Sequence, residues 1–242
     1  MLFRSVSQSR YVIPVYNEEK FIEKCLGEVL AADTLSMPKE IIVVDDGSSD
    51  KTKEVIARIV KKNPKTIKLI KQPKNMGKGA ALKRGLGETT GEIVIVQDAD
   101  LEYSPTDYPV MLSPFTTNDA DVVYGSRFIS NRPHRVLYFW HYQINKILTT
   151  LSNMLTNLNF TDMETGYKAF KGELIRKIAP ELESQRFGFE PEITAKIAKV
   201  PRIKIYEVGI GYAGRTYEEG KKIGWKDGIM AIWEILYFNL LK

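Results

Sequence analysis

Short runs rich in Ile and Val recur through the first half of the sequence, and they constrain the fold more than any other feature. These runs show little polar alternation, which is typical of strands buried on both faces of a sheet. We predict five strands of this kind, at 11–15, 40–44, 67–70, 92–96 and 121–124. Between the strands, apolar residues recur at helical spacing in the segments 18–30, 51–60 and 78–86. This alternation predicts βαβ units, and therefore an α/β fold with a mainly parallel central sheet.

The second half of the sequence carries two apolar helical patterns, at 136–158 and 228–241. The later pattern is apolar nearly all round, and Glu234 is its only charged residue. At about 1.5 Å per residue it spans roughly 20 Å, which is too short to cross a bilayer. It therefore either packs as a core helix or lies as an amphipathic helix in a membrane interface. We expect an unassigned N-terminal segment, one compact domain and a C-terminal apolar helix, at 1–10, 11–224 and 225–242.

Composition limits the chemistry that is open to the chain. Its 242 residues, 43% of them hydrophobic and 27% charged, can bury a sizeable core. The single cysteine, Cys25, excludes a disulfide framework and a Cys-ligated zinc site, and the two histidines, His134 and His141, leave little for a His-based metal site. Any metal site would therefore need carboxylates. The sequence has neither an N-terminal apolar region nor a stretch of roughly 18 apolar residues, so we expect no signal peptide, no spanning helix and a cytoplasmic protein.

Positive charge is concentrated in the segment 51–84, which holds twelve Lys or Arg and a single acidic residue, Glu54. The whole chain has a formal net charge of only +5. Such a segment is either a solvated surface or a surface attracted to anionic lipid or nucleic acid. Because the segment contains no Phe, Tyr or Trp on which bases stack, a nucleic-acid partner is disfavoured.

Acidic clusters follow two of the predicted strands, DDGSSD at 45–50 and QDAD at 97–100. The carboxyl ends of parallel strands line the ligand crevice of such a sheet, so the two clusters converge on one edge. Turn formation explains part of these clusters, but Asp45 and Asp98 each directly end an apolar run. An Asp-x-Asp arrangement at such an edge, here Asp98 and Asp100, suits Mg²⁺ or Mn²⁺ that bridges substrate phosphates.

A glycine-rich stretch, NMGKGAA at 75–81, precedes a helical pattern. It matches neither the P-loop nor the dinucleotide-binding pattern, so ATPase and dinucleotide functions lack their signatures. Its small residues are explained equally well by a tight turn with close packing.

Eight ordered motifs run through the sequence. They are IPVYNEE (13–19), EIIVVDDGSSD (40–50), NMGKGAALKRGL (75–86), VQDADLEYSP (96–105), ADVVYGSRF (120–128), TDMETGYKAF (161–170), RFGFEPEI (186–193) and YAGRTYEEGKKIGWKDG (212–228). Together they resemble the motifs of the family 2 glycosyltransferases of GT-A fold and, more narrowly, those of the dolichyl- or polyprenyl-phosphate mannose and glucose synthase group. The resemblance covers about residues 11–230, nearly the whole chain.

The resemblance implies a Rossmann-like domain that binds a nucleotide sugar, either a UDP- or a GDP-sugar. Pro14, Tyr16 and Glu18 match the family's first nucleotide loop. Val43 and Asp45 match the strand end that contacts the base and the ribose.

The resemblance also implies a metal site and phosphate contacts. Asp98, Ala99 and Asp100 match the family's DxD motif, whose carboxylates hold Mg²⁺ or Mn²⁺ on the diphosphate. Glu102 stands where many relatives have Gln, and it is a candidate further ligand. The basic residues that match phosphate-contacting positions are Arg127, Arg215 and Lys221.

The implied reaction is an inverting transfer of a hexose to a polyprenyl or dolichyl phosphate, by an enzyme associated peripherally with the cytoplasmic face of a membrane. A phosphate acceptor is already ionised, so it needs positioning rather than a general base. A hydroxyl acceptor on a lipid, glycan or small molecule would need a base, for which Asp162 and Glu190 are candidates, although each could equally be a cap or a loop acceptor. A non-catalytic module that binds a nucleotide sugar is a further alternative, against which the intact basic and acidic motifs argue.

Overall fold

The computed structural model describes residues 8–129, 135–136, 138–215 and 225–242, with the side chains of 225–227 left out. Its strands are β1 (Ser9–Val15), β2 (Lys39–Asp45), β3 (Ile67–Lys71), β4 (Ile93–Val96), β5 (Val122–Ser126), β6 (Lys168–Lys171) and β7 (Ile205–Gly209). Its α-helices are α1 (Ile22–Ala31), α2 (Thr52–Lys62), α3 (Lys78–Gly87), α4 (Tyr108–Thr117), α5 (Phe139–Thr156), α6 (Gly172–Ile178), α7 (Phe189–Ala198) and α8 (Trp225–Leu240). Single turns of 3₁₀-helix lie at Pro105–Asp107 and Ala179–Glu181.

The described strands form one seven-stranded sheet in the order β3-β2-β1-β4-β6-β5-β7. All neighbouring strands run parallel except β6, which is antiparallel to both β4 and β5. In the middle of the sheet, Val12 lies opposite Ile42 on one side and Val96 on the other. The predicted α/β fold with a mainly parallel sheet is therefore confirmed.

The two faces of the sheet carry separate hydrophobic clusters, because successive side chains of a strand point to opposite faces. On one face, Tyr11 and Ile13 of β1 pack with residues of α1, α2 and α4. On the other face, Val12 of β1 packs with residues of α3, α6 and α7. Each fully buried aliphatic side chain contributes roughly 1.5–3 kcal/mol, so burial on both faces explains the continuous Ile/Val runs.

Two predicted helices begin later than expected. The first was predicted from 18, but α1 starts at Ile22. Asn17 has a left-handed φ of 53°, and the backbone N–H of Glu18 donates to Thr52 Oγ1 at 2.9 Å, so this stretch forms a turn. The pattern predicted over 136–158 is helical as α5 only from Phe139 to Thr156. Asn157 follows with a left-handed φ of 56°, which ends that helix.

Elements that the sequence did not predict complete the second half. They are β6, β7, α4, α6 and α7. Helices α7 and α8 pack against each other, and both contact α5. Leu148 of α5 and Ile235 of α8 share one small buried cluster with Met163. Within the described residues, no helix is both long and apolar enough to cross a membrane.

Candidate active site

A cleft of about 590 Å³ opens at the carboxyl ends of β1, β4 and β5. Its walls also include residues from the N-terminus of α3, from α5 and α7, and from the segment that follows β7. Ten of the predicted site residues line it, and they come from five different motifs of the sequence. They are Pro14, Tyr16, Glu18, Asp98, Ala99, Asp100, Glu102, Arg127, Glu190 and Arg215.

The other predicted site residues lie elsewhere. Val43 is fully buried in the core cluster beneath α1, and Asp162 is fully buried behind Arg127. Asp45 is also fully buried, and its Oδ1 accepts a hydrogen bond from the backbone N–H of Ser48 at 3.1 Å. Asp45 therefore takes part in the turn after β2. We had expected that turn formation would not explain this residue. Lys221 falls outside the described residues.

Lys78, which the sequence analysis did not single out, joins two of the predicted groups. Its Nζ lies 3.0 Å from Asp98 Oδ1 and 3.1 Å from Glu190 Oε1. Burial disfavours the charged ammonium, but the attraction of the two carboxylates outweighs burial and raises the pKa of Lys78. Lys78 therefore stays charged and holds both carboxylates in position.

Backbone packing around the glycine-rich stretch places Lys78. The side chain of Asp46 accepts hydrogen bonds from the backbone N–H groups of Met76 and Gly77, each at 2.8 Å. Gly77 has a φ of 100°, and a Cβ there would lie 2.3 Å from the carbonyl oxygen of Gln185. Only glycine fits both conditions, so the tight-turn interpretation of this stretch is confirmed.

A second cation lies among the remaining acidic residues. The guanidinium of Arg215 is 3.1 Å from Asp100 Oδ2, 3.4 Å from Glu102 Oε1 and 3.6 Å from Glu18 Oε2. Glu102 Oε1 also accepts the backbone N–H of Arg215 at 2.9 Å. Asp98 and Asp100 therefore each have a basic partner, Lys78 and Arg215. These basic partners are distant in sequence and are brought close to the carboxylates only by the fold.

The cleft nevertheless holds more negative charge than these cations neutralise. Burial raises the pKa of Asp100 to about 7, and the negative charges of Asp98 and Glu102 add to the shift. Among the residues that the structure describes, no group of three or more acidic, histidine or cysteine side chains is arranged to hold a metal ion. Because Mg²⁺ commonly binds through one or two carboxylates and the phosphates of a substrate, the hard oxygen ligands and their surplus charge fit such an ion.

Arg127 is fixed by Asp162 beneath it. Its Nε and Nη2 each lie 2.6 Å from one oxygen of the Asp162 carboxylate, and its backbone N–H donates to the same carboxylate at 3.1 Å. The guanidinium also lies over the ring of Tyr212, 5.1 Å from its centroid. Both oxygens of Asp162 are therefore occupied, which favours a positioning role for this residue over that of a general base.

The loop before β6 contributes another acidic side chain that the sequence analysis missed. Glu164 lines the cleft, and its Oε1 is buried without a hydrogen bond among the described residues. Burial and the charge of Glu190 raise the pKa of Glu164 to about 8, against the attraction of Lys168. Lys168 is fully buried and donates hydrogen bonds to the carbonyl groups of Met163 and Thr165, so it ties down the loop that carries Glu164.

Apolar side chains also line the cleft. They include Trp140, Ile144 and Leu148 of α5 and Ala231 of α8, beside polar residues of α5 such as Asn145. A single cleft thus combines anionic and cationic groups with apolar side chains.

Comparisons with known proteins agree with this geometry. Residues 11–179 match the family model described as Glycosyl transferase family 2. A dolichyl-phosphate beta-glucosyltransferase of Trichomonas vaginalis is 35% identical over 214 residues, which cover 82% of this chain and 64% of that protein. An undecaprenyl-phosphate 4-deoxy-4-formamido-L-arabinose transferase of Photorhabdus laumondii is 27% identical over 222 residues, which cover 91% of this chain and 65% of that protein.

A similar solved structure is that of glucosyl-3-phosphoglycerate synthase from Mycobacterium tuberculosis in complex with Mn²⁺ and UDP-glucose. The TM-score is 0.71 at 20% sequence identity, with 96% of this chain and 79% of that chain covered. At this identity the likeness shows the fold, and the expected GT-A architecture is confirmed. The chain spans slightly less than two thirds of the length of the curated relatives named above. Since the family model covers well over half of the sequence, this chain belongs to glycosyl transferase family 2.

Proposed function

We propose that this chain transfers a hexose from a nucleotide diphosphate sugar to the phosphate of a polyprenyl or dolichyl lipid, with inversion at the anomeric carbon. The observation that carries the proposal is the combination of charged and apolar side chains in one cleft. The DxD carboxylates Asp98 and Asp100 line it together with apolar side chains of α5 and α8. The names of the relatives from Trichomonas and Photorhabdus support a lipid-phosphate acceptor.

Asp98 and Asp100 are the residues that would hold Mg²⁺ or Mn²⁺, with Glu102 as a candidate further ligand. The bound ion would stabilise the negative charge that develops on the leaving diphosphate. Lys78 fixes the orientation of Asp98, and Arg215 lies beside Asp100 and Glu102. The charge of Arg215 would there also attract the diphosphate. No covalent nucleophile is required for this chemistry.

The donor's nucleoside would lie between the ends of β1 and β2. Pro14, Tyr16 and Glu18 line this part of the cleft. Asp45 lies beneath it, with Oδ2 buried and without a hydrogen bond among the described residues. An unsatisfied buried carboxylate oxygen is costly, and a donor group of the nucleoside would relieve that cost.

The apolar helices also support peripheral contact with the cytoplasmic face of a membrane, where a polyprenyl phosphate is located. Large apolar side chains of α5 and α8 are exposed, which is unusual unless such a surface meets a partner. Trp and Tyr favour the headgroup region of a bilayer, and basic residues of the segment 51–84 add attraction to anionic lipid. The exposed apolar side chains of the two helices include Phe139, Trp140, Ile147, Met154, Ile229, Met230, Trp233 and Leu240.

The acceptor class is tested by offering matched phosphate and alcohol acceptors. Purified protein with Mn²⁺ is incubated with UDP- and GDP-linked glucose or mannose and with either farnesyl phosphate or farnesol. We expect product only with farnesyl phosphate, and an anomeric configuration, read by NMR, opposite to that of the donor. Transfer to farnesol alone would overturn the assignment of a phosphate acceptor.

A hydroxyl acceptor is the second candidate, and the position of Glu164 favours it. Glu164 lines the cleft, its buried Oε1 has no hydrogen bond among the described residues, and a pKa of about 8 suits a general base at mildly alkaline pH. In that case transfer to an alcohol would rise as the pH passes through about 8 and would be lost in Glu164→Gln. A phosphate acceptor requires neither result.

A further inference from the structure

We propose that Arg186 binds the phosphate group of the lipid acceptor at the mouth of the cleft. The inference rests on the proposed function and assigns a residue to the acceptor end of the reaction. Arg186 precedes α7 and lines the cleft, and its side chain is exposed.

Arg186 differs from the other described Lys and Arg residues of the cleft because it has no carboxylate partner. Within the described residues, the Lys and Arg side chains that line the cleft are those of Lys78, Arg127, Arg186 and Arg215. Three of them face carboxylates within 3.1 Å: Lys78 faces Asp98, Arg127 faces Asp162 and Arg215 faces Asp100. The side chain of Arg186 has no ion pair or hydrogen bond with any described residue. Its charge is therefore available to an incoming anion.

The backbone of Arg186 is fixed next to the reacting groups. Its carbonyl oxygen accepts the backbone N–H of Gly79 at 3.0 Å, and the carbonyl of Gln185 accepts that of Ala80 at 3.0 Å. A Cβ on Gly77 would lie 3.0 Å from Arg186 Cγ, so the side chain starts against the turn that leads into Lys78. An anion bound to Arg186 would therefore lie near the turn that leads into Lys78.

Exposed apolar side chains line the same cleft as this cation. Phe187 is 37% exposed, Ile144 is 43% exposed and Trp140 is 72% exposed, and all three line the same cleft. A nucleotide sugar carries no apolar tail that would use them. A phosphate joined to an isoprenoid chain matches both the free guanidinium and the apolar side chains.

A phospholipid headgroup offers the same phosphate chemistry as the acceptor, so the test separates the two sources. Farnesyl phosphate in vesicle-free buffer reports on the acceptor alone. Flotation with phosphatidylglycerol vesicles reports on the headgroup alone. Arg202→Gln is the matched control, because Arg202 is exposed in the turn between α7 and β7 and lies outside the cleft lining.

The experiment compares wild type, Arg186→Gln, Arg186→Lys and Arg202→Gln by steady-state kinetics and by calorimetric titration with farnesyl phosphate. Loss of a hydrogen-bonded contact to a charged group predicts an increase of about 10- to 100-fold in KM and Kd for farnesyl phosphate in Arg186→Gln. Arg186→Lys should recover part of this loss. The KM for the nucleotide sugar, the melting temperature and vesicle flotation should stay at wild-type values.

Each contrary result has a distinct meaning. If wild type transfers the hexose and Arg186→Gln binds farnesyl phosphate equally well, the role of Arg186 is refuted and the proposed function stands. An increase in the KM for the nucleotide sugar would make Arg186 a donor contact, and a loss confined to flotation would make it a headgroup contact. Either result overturns the inference. If wild type neither binds farnesyl phosphate nor transfers to it, both proposals fail.

Discussion

Replacing Asp162 by alanine should destabilise the protein strongly, because it leaves the charge of Arg127 without its partner. The Asp162 side chain is 0% exposed and that of Arg127 is 12% exposed, and the two form a bidentate pair with both N–O distances at 2.6 Å. Breaking a buried ion pair from one side costs roughly 3–5 kcal/mol, since the remaining charge stays buried. At about 2–4 °C per kcal/mol for a chain of this length, the melting temperature should fall by roughly 10 °C.

Urea denaturation followed by circular dichroism measures this effect, and a double-mutant cycle isolates its cause. The variants are Asp162→Leu, Arg127→Met and the double variant that carries both changes. Because the double variant buries no unpaired charge, it should be more stable than the sum of the single losses predicts, by at least about 2 kcal/mol. Glu173→Ala is the matched control, because Glu173 pairs with Lys177 on the exposed surface of α6 and its loss should hardly move the urea midpoint.

Two results would contradict the expectation that Asp162 stabilises the protein by pairing with Arg127. The first is a loss of less than about 1 kcal/mol in Asp162→Ala, and the second is strict additivity in the cycle. Either would mean that solvent compensates the charge of Arg127, and Asp162 would again be open to a catalytic role.

Three further outcomes are expected. Asp100→Ala should abolish transfer while the melting temperature hardly changes, because this carboxylate lies in the cleft outside the core; retained turnover would contradict a metal site there. Burial and the charges of Glu190 and Glu192 raise the pKa of Glu234 to about 7. Its protonated carboxyl group therefore stabilises the folded state fully below the pKa of the unfolded chain, and this stabilisation is lost as the pH rises through about 7. The stability gained in Glu234→Gln over wild type should therefore be larger at pH 8 than at pH 5 in urea denaturation, and a gain independent of pH would refute this. Finally, the protein should float with anionic liposomes and dissociate as salt rises, and replacing Trp233 by serine should weaken flotation; a protein that never floats would argue against membrane contact.

The central sheet could be predicted because β1, β2 and β4 are buried on both faces, and continuous Ile/Val runs are the direct result. Strand β6 was missed because it has only four residues and begins with Lys168, whose buried charge is partnered by carbonyl groups of a preceding loop. Strand β7 is half-buried throughout, which removes the apolar signal. Helix α4 was missed because Pro114 lies inside it, and proline ordinarily argues against a helix.

The sequence predicts the site residues that directly follow a strand, but it does not predict contacts between residues that only the fold brings together. Asp98 and Asp100 directly follow an apolar run, so their position at the sheet edge follows from the sequence. The pairing of Lys78 with Asp98 and Glu190 joins three separate segments, and no local pattern reports it. The motif RFGFEPEI marked a segment of interest, but the sequence could not show that Arg186 alone among the described lining Lys and Arg residues keeps an unmatched charge.

Transfer of the hexose to a lipid phosphate and its dependence on a divalent metal ion can be measured in one assay. Radiolabelled hexose is followed from its nucleotide sugar to farnesyl phosphate by the purified protein, first with Mn²⁺, then with EDTA, and then with Mn²⁺ restored in excess. We expect labelled lipid with Mn²⁺, no labelled lipid with EDTA, and full recovery of the transfer when Mn²⁺ is restored. Undiminished transfer in EDTA, or no labelled lipid under any of the three conditions with either UDP- or GDP-linked donors, would contradict it.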